Sequence, residues 1–132
     1  MLQLEVVKRL AAGPGSKTYG RLGIMTQYFC RVESLFEVPP EAFSPRPKVT
    51  SAIVRLTPYS EPPFPATNLD TLATLLRTAF NLRRKTLRNS LKTLMPREQM
   101  EALEVDLQAR PETLSLEQFV DISNQIDAAA LE

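Results

Sequence analysis

The chain has 132 residues, enough for one ordinary domain or two small units, and its 43% hydrophobic and 23% charged residues are proportions of a soluble globular protein. It has no histidine and a single cysteine, Cys30, which excludes His-based triads, His metal sites, His acid–base catalysis and an internal disulfide, and fits a reducing cytoplasm. The net charge of +1 conceals a segregation: residues 1–96 carry 14 Lys/Arg against 6 Asp/Glu, whereas residues 97–132 carry 2 against 9. Such a split suggests a basic working surface with an acidic terminal segment elsewhere.

No signal peptide, transmembrane run or lipidation motif is legible, so a cytoplasmic location without a membrane partner is expected. Residues 2–12 have helical spacing, with Leu2, Val6, Val7 and Leu10 as the apolar stripe, and Gly13-Pro14-Gly15 stops the helix. The AGPG run lacks both the Lys-Ser/Thr ending of a phosphate loop and a GxGxxG spacing, and reads as a stop rather than a cradle. Residues 21–30 return to helical spacing. Leu22, Met25, Tyr28 and Phe29 are their apolar positions, and Tyr28 and Phe29 read as core rather than as a base-stacking platform.

Residues 31–38 read as a strand through Val32, Leu35/Phe36 and Val38, and residues 50–57 as a stronger one with Ala52, Val54 and Leu56 on one face. The proline-rich stretch between them cannot be a central strand, because proline lacks the donor. An antiparallel pair joined by a stiff loop is expected. Two strands and two helices bury too little surface to stand alone, so the pair reads as part of a larger sheet and should leave an apolar face open to self-association or a partner. Residues 61–67 form the best boundary in the chain, a Pro-rich linker. Beyond residue 96, Pro96 opens a short helix with Glu98 and Glu101 in and near its first turn. Ser115 and Gln118 form a capping box for a last helix whose apolar positions are Leu116, Phe119, Val120 and Ile126.

Residues 71–96 hold Arg77, Arg83, Arg84, Lys85, Arg88 and Lys92 and no acid. On a helical projection Leu75, Leu76, Ala79, Phe80, Leu87 and Leu91 fall on one side, and Arg77, Asn81, Arg84, Lys85, Arg88 and Lys92 on the other. A solvated face normally mixes signs, since like charges repel, and a polyanion is one partner that restores the balance. Arg83 projects into the apolar stripe, where an unpaired charge is costly. Either it has a partner, or the helix breaks between Asn81 and Thr86 and Thr86 caps a second helix.

Two stretches carry the most specific information. One is Phe43-Ser44-Pro45-Arg46-Pro47-Lys48-Val49 running into the second strand. The other is Ala79-Phe80-Asn81-Leu82-Arg83-Arg84-Lys85-Thr86-Leu87-Arg88-Asn89-Ser90-Leu91. In this order and spacing they resemble the F-x-P-x-P-x-V motif and the RRKT-x-RN-S-L signature of the KsgA/RsmA family of ribosomal RNA adenine dimethyltransferases. The opening MLQLEVVKRLAAGPGSKTYGRL and the EVPPEAF stretch are similar to the corresponding family segments.

The resemblance implies an S-adenosylmethionine-dependent enzyme that dimethylates two adjacent adenines near the 3′ end of small-subunit rRNA during ribosome assembly. It implies an α/β fragment: residues 1–60 supply the last helices and two antiparallel strands of a Rossmann-like methyltransferase sheet, residues 61–67 the linker, and residues 68–132 a small all-α domain that grips RNA. The Gly-rich cofactor loop, the acid for the cofactor ribose and the N-L-P-Y-type motif do not occur in the chain. In the family they precede the position of Met1. No cofactor is therefore expected on this chain alone, which is expected to be inactive without the missing N-terminal methyltransferase half as its partner. Phe43 is the candidate for stacking on the flipped adenine, with a packing role as a loop anchor the alternative. Arg46 and Lys48 would meet phosphates beside it, and Arg83, Arg84, Lys85 and Arg88 would hold the backbone of the rRNA in a 30S assembly intermediate. Asn89 is open between capping, packing and RNA contact. The rival functions are a non-enzymatic RNA-binding assembly module and a DNA-binding helical protein; no helix-turn-helix spacing supports the latter.

Overall fold

The computed structural model describes residues 1–81 and 86–130. The chain divides into two compact units, Met1–Gly13 with Thr18–Pro62, and Pro14–Lys17 with Pro63–Glu132.

The first unit contains β1 (Leu2–Gln3), α1 (Leu4–Ala11), α2 (Arg21–Phe29), β2 (Cys30–Val38) and β3 (Ser51–Pro58). The sheet has three strands in the order β1-β3-β2, all antiparallel. The expected pair is thus corrected to a triplet, because the first two residues of the predicted helix are a strand. Leu2 and Gln3 pair with Ala52 and Ser51, and the Leu4 N–H donates to the Thr50 carbonyl at 2.9 Å. The ladder satisfies these backbone groups before the helix begins. Leu2 consequently lies exposed, outside the helical stripe.

Val7 and Leu10 of α1 are buried. They pack with α2 through Gly23, Ile24 and Tyr28, the buried positions of that helix. Leu22 and Phe29 are exposed, contrary to the core role expected for them, and Phe29 keeps 47% of its surface in solvent. The reason is Gly23. A Cβ there would stand 2.2 Å from the Arg9 carbonyl oxygen, so α2 meets α1 backbone to backbone along the glycine. That seam turns Leu22 and Phe29 outward. Gln27 closes the C-terminal end of α1, its Nε2 donating to the Leu10 carbonyl at 2.8 Å and the Ala12 carbonyl at 3.0 Å. It thereby satisfies carbonyls that a helix end leaves without partners.

The β2–β3 ladder pairs Val32 with Leu56, Ser34 with Val54 and Phe36 with Ile53, so Leu35 is an extra residue in a bulge. The bulge accounts for the broken alternation at Leu35/Phe36. Ala52 is fully buried, whereas Leu35, Phe36 and Leu56 are exposed, Phe36 by 60%. The opposite side of β3 carries Arg55, whose Nη1 lies 4.0 Å from Glu33 Oε2, and Arg31 Nε lies 3.5 Å from Glu33 Oε1.

The elements described in the second unit are helices: α3 (Leu69–Asn81), α4 (Leu87–Leu91), α5 (Arg97–Glu101) and α6 (Leu116–Ala130), with 3₁₀ turns besides. Leu72, Leu75, Leu76 and Ala79 of α3, Leu87 and Leu91 of α4, and Phe119, Val120 and Ile122 of α6 form its core. The Phe80 and Phe119 rings lie 5.8 Å apart. α6 starts with the expected reciprocal capping box. The Gln118 N–H donates to Ser115 Oγ at 3.2 Å, and the Ser115 N–H to Gln118 Oε1 at 2.8 Å. Pro96 precedes α5 as its cap instead of opening it; Glu98 lies in the first turn as expected, and Glu101, next after that turn, also ends this five-residue helix.

Part of the predicted linker is fastened to α6. Asn124 Oδ1 accepts from the Thr67 N–H at 2.8 Å, and its Nδ2 donates to the Pro65 carbonyl at 3.3 Å. Asp127 accepts from the Thr67 and Thr71 hydroxyls.

Candidate nucleic-acid interface

The β2–β3 connection is built by proline. Pro40–Ala42 form a 3₁₀ turn, and the Ala42 and Phe43 N–H groups donate to the Pro39 and Pro40 carbonyls at 3.1 Å each. Pro45 and Pro47 restrict the chain that follows, and the Ser44–Pro45 bond is cis. Pairing of Val38 with Ser51 fixes both ends of the loop. Phe43 is half-buried here, and Arg46 and Lys48 are exposed on the same loop with no ion pair among the described residues. One short connection therefore brings these three predicted site residues together: an aromatic ring with two free cations.

Among the described residues, the basic segment contains parts of two helices, α3 ending at Asn81 and α4 beginning at Leu87. Thr86 has extended backbone, φ −73° and ψ 163°, immediately before α4, so of the two alternatives left open by the sequence the second, a helix starting after Thr86, is the one observed. Its hydroxyl makes no cap bond to the helix. Instead the Leu87 N–H donates to the Ala109 carbonyl at 2.8 Å and the Arg88 N–H to the Leu107 carbonyl at 3.0 Å. These first-turn donors of α4 are thus taken by backbone. Arg83, Arg84 and Lys85 lie outside the described residues. Arg77 and Lys92 are exposed. Asn89 is exposed too, its amide 3.5 Å from Thr86 Oγ1.

Arg88 has a partner that the acid-free segment did not suggest. Its Nη1 lies 3.7 Å from Glu101 Oε1, which also accepts from Arg97 Nε at 3.0 Å. The Arg97 hydrogen bond and charge, with a smaller contribution from Arg88, hold the Glu101 carboxyl below its usual range. The Arg88 side chain keeps 33% of its surface exposed. It is held at one end of an Arg–Glu–Arg cluster, and a guanidinium has five N–H donors, more than this one partner uses.

The described residues do not fit S-adenosylmethionine. The chain has four glycines. Gly23 is sealed against Arg9, and Gly15, at φ +88°, gives its N–H to the Glu112 carbonyl at 2.6 Å. Gly13 and Gly20 follow no strand of a strand–loop–helix turn, the arrangement that binds such cofactors. A cavity of about 220 Å³ in the first unit, between Gln3–Glu5 and Val49–Thr50, is below the range of about 300–1,000 Å³ common to small-molecule sites. Among the described residues no group of three or more His, Cys, Asp or Glu could hold a metal ion, and no helix is long and apolar enough to cross a membrane.

The fold is similar to that of known methyltransferases. A dimethyladenosine transferase from Plasmodium falciparum superposes with a TM-score of 0.79 at 24% identity, over 97% of this chain and 56% of that one. The 23S rRNA methyltransferase ErmE gives a TM-score of 0.66 at 27% identity, over 95% and 52%. Among curated proteins, the ribosomal RNA small subunit methyltransferase A of Saccharophagus degradans is 64% identical over 126 residues, 96% of this chain and 47% of the relative. That of Aliivibrio fischeri is 59% identical over 128 residues, 97% and 47%. The chain thus spans about half the length of the curated relatives it matches. The family model described as ribosomal RNA adenine dimethylase matches residues 1–128, and the chain belongs to that family.

Proposed function

We propose that the whole protein is an S-adenosylmethionine-dependent rRNA adenine dimethyltransferase of the cytoplasm. It acts on two adjacent adenines near the 3′ end of small-subunit rRNA in a 30S assembly intermediate, and residues 1–132 carry mainly its hold on the RNA. The observation that carries this reading is the family match over residues 1–128, in a chain that keeps both the proline-loop motif and the basic signature. Residues 1–60 are the end of a Rossmann-like domain whose sheet continues in the remainder of the protein. The exposed Leu35, Phe36 and Leu56 support this, since a complete sheet covers such side chains. Residues 61–67 link it to a small helical RNA-binding domain, residues 68–132.

Methylation of an adenine amine requires the base to leave the helix stack and be held flat. Phe43 offers its ring to that base, in a loop stiffened by four prolines and therefore already shaped for the purpose. Arg46 and Lys48 take the flanking phosphates, and Arg83, Arg84, Lys85 and Arg88 hold the RNA backbone without reading sequence. The methyl donor's site is not formed by these residues, so the chain alone binds RNA and does not methylate it.

The test is binding of the chain to a 3′ fragment of small-subunit rRNA across a salt titration. The Arg84→Glu/Arg88→Glu variant should bind more weakly with a flatter salt dependence, because fewer counterions are released. Calorimetry with S-adenosylmethionine should show no binding. Unchanged RNA affinity in the double variant, equal affinity for duplex DNA, or tight cofactor binding would overturn the reading.

A further inference from the structure

The second unit has a groove of about 580 Å³ that the RNA-binding reading does not use. Phe64, Val105 and Val120 form its apolar floor, and Glu104, Glu117 and Asp121 stand around it. The three carboxylates are exposed and make no ion pair among the described residues. The wall formed by the proline-rich stretch does not collapse into the floor, because Asn124 holds both the Pro65 carbonyl and the Thr67 N–H. The groove is preformed, and an occupant meets little ordering cost on that side.

Its chemistry selects one kind of occupant. Three unpaired carboxylates repel nucleic acid and acidic protein surfaces. The apolar floor calls for a side chain with a hydrocarbon body, and the rim for cations. We propose that this groove docks an extended basic segment of another protein, one that places an aliphatic side chain on Phe64, Val105 and Val120 and sets lysine or arginine heads against Glu104, Glu117 and Asp121. Long cationic side chains satisfy both demands, since their stems lie along apolar surface while their heads reach the charge. Proteins that bind an RNA meet its phosphates with Lys and Arg, so basic segments are common among them. The groove therefore gives the chain a protein contact on an RNA–protein particle in addition to its contact with the RNA. This setting rests on the function proposed above; the groove's preference for a basic segment does not, and its test contains no RNA.

The probe is a ten-residue synthetic peptide alternating arginine or lysine with leucine, titrated into the chain at moderate salt and followed by amide chemical shifts. The expected result is saturable binding with shifts concentrated at Phe64, Val105 and Val120. Reversal of Glu117 and Asp121 to Lys should weaken it at least tenfold, and Phe64→Ala several-fold. Reversal of Glu98 and Asp106, exposed acids outside the groove, should change it less than twofold. A peptide with serine in place of leucine should bind several-fold more weakly. Absence of binding, an equal effect of the two pairs of reversals, or indifference to the loss of leucine would overturn the proposal. Preserved far-ultraviolet dichroism in each variant separates lost binding from lost folding.

Discussion

Gly23 faces the backbone carbonyl of Arg9 so closely that a methyl group on it would stand 2.2 Å from the oxygen. Because the obstruction is main chain inside α1, no side chain can move aside to relieve it. Gly23→Ala improves helix propensity by about 1 kcal/mol, yet it forces the two helices apart against an overpacking penalty of about 1–3 kcal/mol or more. The clash wins. Chemical denaturation should show a net loss of about 1–2 kcal/mol or more, with reduced helix content in the first unit. A variant as stable as the parent would show that α1 and α2 do not meet in this way.

Tyr19 is buried, and burial pushes its phenol up to about 12 from the ordinary value near 10. The folded state therefore keeps its proton where the unfolded state has lost it. The resulting stability is complete below pH 10 and falls as the pH rises from about 10 to 12, by roughly 2 kcal/mol at the upper end. Denaturant titrations across that window should give a falling midpoint, and Tyr19→Phe should flatten the slope even if its own stability at neutral pH is lower. An unchanged slope in that variant would assign the alkaline loss to other groups.

The Ser90 and Ser123 hydroxyls are fully buried without a hydrogen-bond partner among the described residues. A buried polar group left unpaired costs about 1–3 kcal/mol, whereas losing one oxygen opens a small void. Ser123→Ala and Ser90→Ala should accordingly be neutral or stabilising by up to about 1 kcal/mol in thermal melts. A clear destabilisation would reveal a bond through an ordered water.

Glu101→Gln removes the carboxylate that Arg88 and Arg97 share. RNA affinity should rise two- to fivefold and the salt dependence should steepen, since Arg88 is then free to meet phosphate. The melting temperature should change little, because the cluster lies at the surface. Weaker RNA binding in this variant would mean that Glu101 holds Arg88 in its binding pose rather than competing for it.

In the whole protein, Phe43→Ala should lower turnover by about tenfold or more while RNA affinity falls less than threefold. One stacked base is worth about 1–3 kcal/mol, whereas the phosphate contacts that dominate affinity are untouched. Phe43→Tyr should restore turnover. Equal losses in affinity and turnover would assign Phe43 to loop packing.

The parts of this molecule governed by local chemistry were legible in its sequence. Ser115 and Gln118 announced their reciprocal cap, and Thr86 offered the start of α4 as one of two alternatives. The strand over residues 31–38 was legible, but its bulge at Leu35 shows only in the pairing with β3. Features that depend on a distant segment were not legible. Two residues, Leu2 and Gln3, are too few to show a strand period, and only their pairing with Ser51 and Ala52 makes them one. Leu22 and Phe29 have the spacing of a core stripe, and only the close approach at Gly23 turns them outward. Arg88 sits in a run without acids, and its partner comes from another helix. The proline loop is legible as a unit because Phe43, Arg46 and Lys48 lie within six consecutive residues.

The backbone of α4 begins with N–H groups already given to the carbonyls of Leu107 and Ala109. An anion at this helix gains nothing from those two donors, so a phosphate held here is held by side chains. Such a surface can be strengthened or weakened one charge at a time, with no change to the chain's path. Under the function proposed above, mutation can thus adjust how long the protein stays on RNA while leaving the fold, and the loop bearing Phe43, as they are.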